Sequence, residues 1–187
     1  MRKEIVLESA RELIQKFGLA NLIMDDVARY CGMSKKTIYQ LFTGKDELVS
    51  DLTISFLEEE KDQLCKLVKQ LDSPPDQIEA ILRFLFHIIE TIPHENLFIL
   101  KRRHNNSFIL FENFFLEIEE IMKKTVQKGV EARLFDARIN PDFLVENTFQ
   151  QLYYFHKNIR RLAGENLYEL WKEQLYMSIT KTLKPQP

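Results

Sequence analysis

The chain has 187 residues, 45% of them hydrophobic, with only 5 glycines and 6 prolines, which excludes the disordered and collagen-like classes and leaves room for one large domain or a small domain followed by a larger one. A formal net charge of −2 excludes a protein basic throughout, and no segment approaches the roughly 20 apolar residues needed to cross a bilayer. Met1-Arg2-Lys3 leads into a charged, amphipathic stretch instead of the apolar run of a secretory signal, so a cytoplasmic location without a membrane partner is expected.

Apolar residues recur at helical spacing almost throughout and nowhere alternate as in a strand, which makes the expected fold class all-α. Val6, Ala10, Leu13, Ile14 and Phe17 define one face of a first helix that stops at Gly18. A short helix over 25–30 follows, then a tight turn at Cys31-Gly32-Met33-Ser34, then a second short helix over 35–42. Thr43-Gly44 breaks it, and a long helix runs from Lys45 toward Gln70. Asp72-Ser73-Pro74-Pro75 is the clearest stop signal, with Ser73 able to cap the next helix. That helix carries Ile78, Ile81, Leu82, Leu85, Ile88, Ile89 and Ile92 and ends at Pro93; Phe84 and Phe86 widen its apolar face, so burial on more than one side is expected. Further helices are expected over 95–103 and 106–128, then about 142–163 and 165–184. The last has Leu167, Trp171, Leu175, Ile179 and Leu183 at strict four-residue spacing.

Little here suggests chemistry. Cys31 and Cys65 lack motif spacing and read as free thiols. His87, His94, His104 and His156 show no metal-site spacing, and there is no phosphate loop, nucleophile elbow or suggestive carboxylate pair, so neither an enzyme nor a bound cofactor is expected. The informative stretch is 27–42. Two short helices meet across a turn that holds a glycine, the layout of a helix-turn-helix. Gly32 can take a positive φ there, Met33 plugs the inside of the turn, and Ser34 can accept the first backbone N–H groups of the following helix. With Ile38, Leu41 and Phe42 packed inward, Lys35, Lys36, Thr37, Tyr39 and Gln40 are left facing outward or sideways. Cations suit phosphates, while hydroxyl and amide groups suit base edges. From Arg29 to Lys45 the chain also carries four cations and no acid.

Val27-Ala28, Gly32-Met33-Ser34, Lys36-Thr37-Ile38-Tyr39, Phe42 and Lys45-Asp46-Glu47-Leu48 together resemble the DNA-binding segment of the TetR (tetracycline repressor) family, over about residues 5–49. The resemblance implies a three-helix DNA-binding domain over 1–48 and a helical ligand-binding and dimerisation domain over 49–187. It puts Lys36 and Thr37 at the groove, Tyr39 on a phosphate and Lys45 on the DNA backbone. Two departures stand out: Lys36 where the family often has glycine, and Ile23-Met24-Asp25-Asp26 where it favours a capping threonine. The implied protein is a homodimeric, ligand-released repressor on a palindromic operator, its ligand small and largely apolar. Candidate ligand-binding residues are Phe84, His87, Phe111, Asn113, Tyr153 and His156, chosen from a phenylalanine-dense stretch and scattered polar anchors. Candidate dimer-interface residues on the last two helices are Phe149, Leu152, Phe155, Ile159, Trp171, Leu175 and Ile179, read as exposed apolar stripes. The rival reading is a helical protein-interaction adaptor on the same fold that binds no operator.

Overall fold

The computed structural model describes residues 2–163 and 167–184; from 159 to 163 it describes the backbone alone. Among the described residues there are nine α-helices, one 3-10 turn and no strand: α1 (Arg2–Phe17), the turn Leu19–Asn21, α2 (Met24–Tyr30), α3 (Lys35–Leu41), α4 (Lys45–Gln70), α5 (Pro74–Thr91), α6 (His94–Arg103), α7 (Asn105–Glu131), α8 (Pro141–Ala163) and α9 (Leu167–Leu183). None is long and apolar enough to cross a membrane. The chain forms two compact units, Met1–Glu60 with Glu95–Asn113, and Lys61–His94 with Phe114–Pro187.

In the first unit α1 buries Val6, Ala10 and Leu13 at helical spacing, and α1 packs on α2 as α2 packs on α3. Its last N–H to carbonyl bond runs from Gly18 to Ile14 at 2.8 Å, and Gly18 then turns at φ +80°, which a Cβ would disfavour. Phe17 departs from expectation: it continues the apolar stripe yet is 62% exposed, while Leu19 and Leu22, just after it in the chain, are buried. At the start of α4, Glu47 accepts from both the Thr43 N–H (2.6 Å) and the Thr43 hydroxyl (2.8 Å), which holds its carboxyl below the ordinary range. The unit also holds most of α6 and the first part of α7, with Leu100 and Phe111 buried and Phe56 against Phe111 at 6.2 Å.

In the second unit α5 is the apolar centre, burying Ile78, Ile81, Leu82, Leu85, Ile88 and Ile89, with Phe84 and Phe86 buried on its flanks. Ser73 occupies the N-cap position of α5, but its side chain makes no capping bond; Pro74 and Pro75, which supply no N–H, fill the first turn instead. The corner is closed from the other side. Gln77 Nε2 donates to the Val68 and Leu71 carbonyls at 3.1 and 2.7 Å, satisfying acceptors left open where α4 ends. α8 packs on α9, where Phe155 and Trp171 stack with centroids 3.5 Å apart and planes 10° from parallel. Cys31 and Cys65 are both free.

Candidate nucleic-acid interface

α2 and α3 are too short to be stable alone, so the turn between them must be held by local bonds. Cys31, Gly32 and Met33 donate backbone N–H groups to the Val27, Arg29 and Ala28 carbonyls at 2.9, 3.2 and 3.0 Å. Gly32 takes φ +64°, as the turn requires. Ser34 is extended and caps α3: its Oγ accepts from the Thr37 N–H at 3.1 Å and lies 2.9 Å from Thr37 Oγ1. Below the turn Val27, Ala28, Ile38 and Phe42 are buried.

That packing orients α3. Lys35, Lys36, Tyr39 and Gln40 are exposed and Thr37 is half-buried. Lys36, Tyr39 and Gln40, at i, i+3 and i+4, share one helix face, and none of the three has a hydrogen-bond or ion-pair partner among the described residues. Lys35 differs: its Nζ bonds Asp25 Oδ2 at 2.5 Å. Arg29 pairs in the same way with Asp26. The two acids that replace the family's capping threonine therefore lie in the first turn of α2, where the helix dipole favours them, and each engages a cation. The N-cap itself, Ile23, makes no side-chain cap. Lys45 is half-buried, its Nζ 3.3 Å from the Leu19 carbonyl. Burial lowers its proton affinity, and the nearby Arg103 charge lowers it further.

The sequence-derived ligand candidates do not gather around one cavity. Phe84 and His87 line an open cavity of about 700 Å³ in the second unit, with Leu67, Leu71, Ala80, Glu79 and Arg83. His156 is buried elsewhere in that unit, its Nε2 2.7 Å from the Ile92 carbonyl and its ring 5.2 Å from His94. Tyr153 is 67% exposed. Phe111 and Asn113 belong to the first unit, Phe111 buried and Asn113 exposed.

The dimer candidates differ from the exposed stripes expected. Leu152, Phe155, Leu175 and Ile179 are buried within the chain's own second unit, while Phe149 and Trp171 are half-buried. The side chain of Ile159 lies outside the described residues. The physical reason is that four-residue spacing identifies an apolar face without saying what covers it, and here α8 and α9 cover each other. Among the described residues of α8 and α9, the large apolar groups left exposed are Phe143, Tyr153, Tyr154, Leu170 and Met177. No group of three or more potential metal ligands occurs among the described residues.

Residues 6–52 match the family described as bacterial regulatory proteins, tetR family. The uncharacterized HTH-type transcriptional regulator YhgD of Bacillus subtilis (strain 168) is 33% identical over 89 residues, which is 48% of this chain and 45% of that protein, so the match spans less than half of the relative's length. Two solved structures share the fold across 98% of both chains with a TM-score of 0.83: a TetR transcription regulator from Haloarcula marismortui ATCC 43049, at 13% identity, and a putative transcriptional regulator from Saccharomonospora viridis in complex with choline, at 12%. The helix-turn-helix and the matched segment agree: residues 6–52 carry the DNA-binding segment of the tetR family of bacterial regulatory proteins, and the chain as a whole shares the fold of the two solved regulators.

Proposed function

We propose that the protein is a cytoplasmic homodimeric repressor that reads a palindromic double-stranded operator and releases it on binding a small, largely apolar ligand. Residues 1–48 read DNA and residues 49–187 bind ligand and dimerise. The observation that carries the reading is the partnerless row Lys36, Tyr39 and Gln40 on α3. Two lysines in the first turn of a helix face the wrong end of its dipole, each costing a few tenths of a kcal/mol. Asp25 offsets that cost for Lys35; Lys36 bears it unaided, which makes sense for a cation reserved for an external anion. Thr37 helps hold the cap and sits beside the groove, Tyr39 donates to a phosphate, Gln40 meets a base edge, and Lys35 and Lys45 steady the backbone contact.

The ligand reading rests on the cavity beside Phe84 and His87, whose volume falls in the range of small-molecule sites. A structure of this fold also holds choline. The homodimer reading rests on the apolar groups that α8 and α9 leave exposed. Tyr153, Tyr154, Leu170 and Met177 form the contact together with Phe149 and Trp171, and two copies give the half-site spacing a palindrome needs. Ligand binding then favours a state with unsuitable spacing between the two α3 helices.

The test is fluorescence anisotropy of DNA from upstream of the protein's own gene, titrated at several salt concentrations beside a Lys36→Ala/Tyr39→Phe variant. Tight binding that weakens steeply with salt, and is lost or much reduced in the variant, is expected. Weak binding indifferent to the variant would instead support the adaptor reading. Sedimentation of Leu170→Glu, expected to shift a dimer to a monomer, tests the α8 and α9 contact.

A further inference from the structure

The run Lys101-Arg102-Arg103 plays no part in the reading above, yet it closes α6 inside the same compact unit as α2 and α3. All three side chains are exposed, and among the described residues none meets a carboxylate. Lys101 Nζ lies 5.1 Å over the Phe108 ring, and the Arg102 guanidinium lies 5.1 Å over the Phe98 ring. Both cations are thus braced on aromatic faces instead of being neutralised. A helix C-terminus tolerates cations, which explains why they can sit there. It does not explain what fixes their position.

His104 fixes it. Its backbone N–H bonds the Leu100 carbonyl at 2.8 Å, and its ring is buried. Nδ1–H donates to Asp46 Oδ1 at 2.6 Å. Asp46 is the second residue of α4, directly after Lys45. The end of α6 is therefore pinned to the start of α4, where Asp46 accepts from the histidine and its neighbour Glu47 accepts from Thr43. Arg103 lies close enough to Lys45 for its charge to lower the lysine's proton affinity. The result is a cationic ridge in which Lys101, Arg102 and Arg103 at the end of α6 share one compact unit with Lys45 at the start of α4, the two ends joined by the His104–Asp46 bond.

We propose that Lys101, Arg102 and Arg103 form a second phosphate-contacting surface on the duplex backbone beside the segment read by α3, with the His104–Asp46 bond as its positioning contact. The proposal rests on the DNA-binding reading and adds a contact outside the helix-turn-helix. Because it meets backbone and not base edges, its contribution is independent of sequence.

Two probes test it: the duplex from upstream of the gene and a short mixed-sequence duplex, each titrated over about 50 to 200 mM salt. Replacing the three residues together (K101Q/R102Q/R103Q) is expected to flatten the plot of log K against log salt by about 2 to 3 per chain on both duplexes, since each lost phosphate contact is worth about 0.9. Arg102→Lys/Arg103→Lys keeps the charge and should keep the slope. If the triple variant fails to fold, Arg102→Gln and Arg103→Gln singly should each flatten the slope by about 0.9. An unchanged slope in these variants, with Lys36→Ala still weakening binding, overturns the proposal and leaves the DNA reading standing. A wild-type chain with no salt-dependent affinity for either duplex overturns both. Loss of binding to anionic lipid vesicles, with DNA binding intact, assigns the ridge to a membrane and overturns it as well.

Discussion

Ser34 tests how the proposed interface is built, because its hydroxyl is the side-chain cap of a seven-residue helix that carries most of the proposed contact residues. In Ser34→Ala the Thr37 N–H loses its acceptor at 3.1 Å, and the Thr37 hydroxyl loses its partner at 2.9 Å. Both groups lie at an exposed edge, so water recovers part of the loss, and a cost of about 1 kcal/mol is expected. For a chain of this length that corresponds to about 2 to 4 °C in the melting transition that includes the first unit. Ser34→Gly should cost only a few tenths of a kcal/mol, since glycine at an N-cap leaves the backbone open to water. Scanning calorimetry of the three proteins gives the comparison. Amide exchange gives a local one: protection at Thr37 should fall about fivefold in the alanine variant. Equal melting temperatures for the alanine and glycine variants, or no loss in either, would refute the assignment of the Ser34 hydroxyl as the cap.

Gly32→Ala and Gly129→Ala should both destabilise, for different reasons. At Gly32 a methyl group meets nothing, so the cost is that of φ +64° alone, about 1 to 2 kcal/mol by denaturant melts. At Gly129 a methyl group would run into the Phe135 ring, so the cost, about 1 to 3 kcal/mol, should shrink when Phe135→Leu is added, whereas the same addition should leave the Gly32 effect unchanged. Phe155→Ala removes a fully buried ring from the α8–α9 packing and should cost about 3 to 5 kcal/mol in urea titrations; a loss under 1 kcal/mol would mean the ring is not packed as described. The Arg11 guanidinium, 3.1 Å from Glu59, holds that carboxyl below its ordinary value near 4.5. A depressed folded value means the stabilisation is complete above the unfolded value and is lost as pH falls through the folded one. The melting-temperature gap between wild type and Glu59→Gln should therefore be full at neutral pH and close as the pH falls through the depressed folded value; a gap independent of pH would exclude an ionic origin.

The parts of this molecule legible in its sequence are those decided by local chemistry. Gly32, Ser34 and the spacing of Ile38 and Phe42 specify the turn, the cap and the orientation of α3 within sixteen residues, and the structure has the same arrangement. Proline and glycine mark the helix ends well, since their constraint acts on the backbone itself. What escaped depends on contacts between residues far apart in the chain. Lys35 gives no sign that Asp25, ten residues earlier, will meet it, and nothing about His104 announces a partner 58 residues away in Asp46. The stripe Leu152, Phe155, Leu175 and Ile179 is apolar whether a neighbouring helix or a second subunit covers it; only the fold shows that α8 and α9 take up that surface themselves. Ser73 illustrates the limit of a local rule: the residue type fits a cap, but Pro75 offers no N–H at the second helical position and the side chain makes no capping bond.

The stacking of Trp171 on Phe155 has a spectroscopic consequence. Trp171 is the chain's one tryptophan and lies in the second unit, on α9. Under selective excitation, all indole emission comes from this one locus, against a phenylalanine ring 3.5 Å away, and none originates in the unit that carries α2 and α3. The unlabelled protein thus contains its own reporter for one unit, while far-ultraviolet circular dichroism registers the helices of both. Denaturation followed by the two signals together shows whether the units melt as one: coincident curves mean a single cooperative transition, and separated curves give each unit its own midpoint.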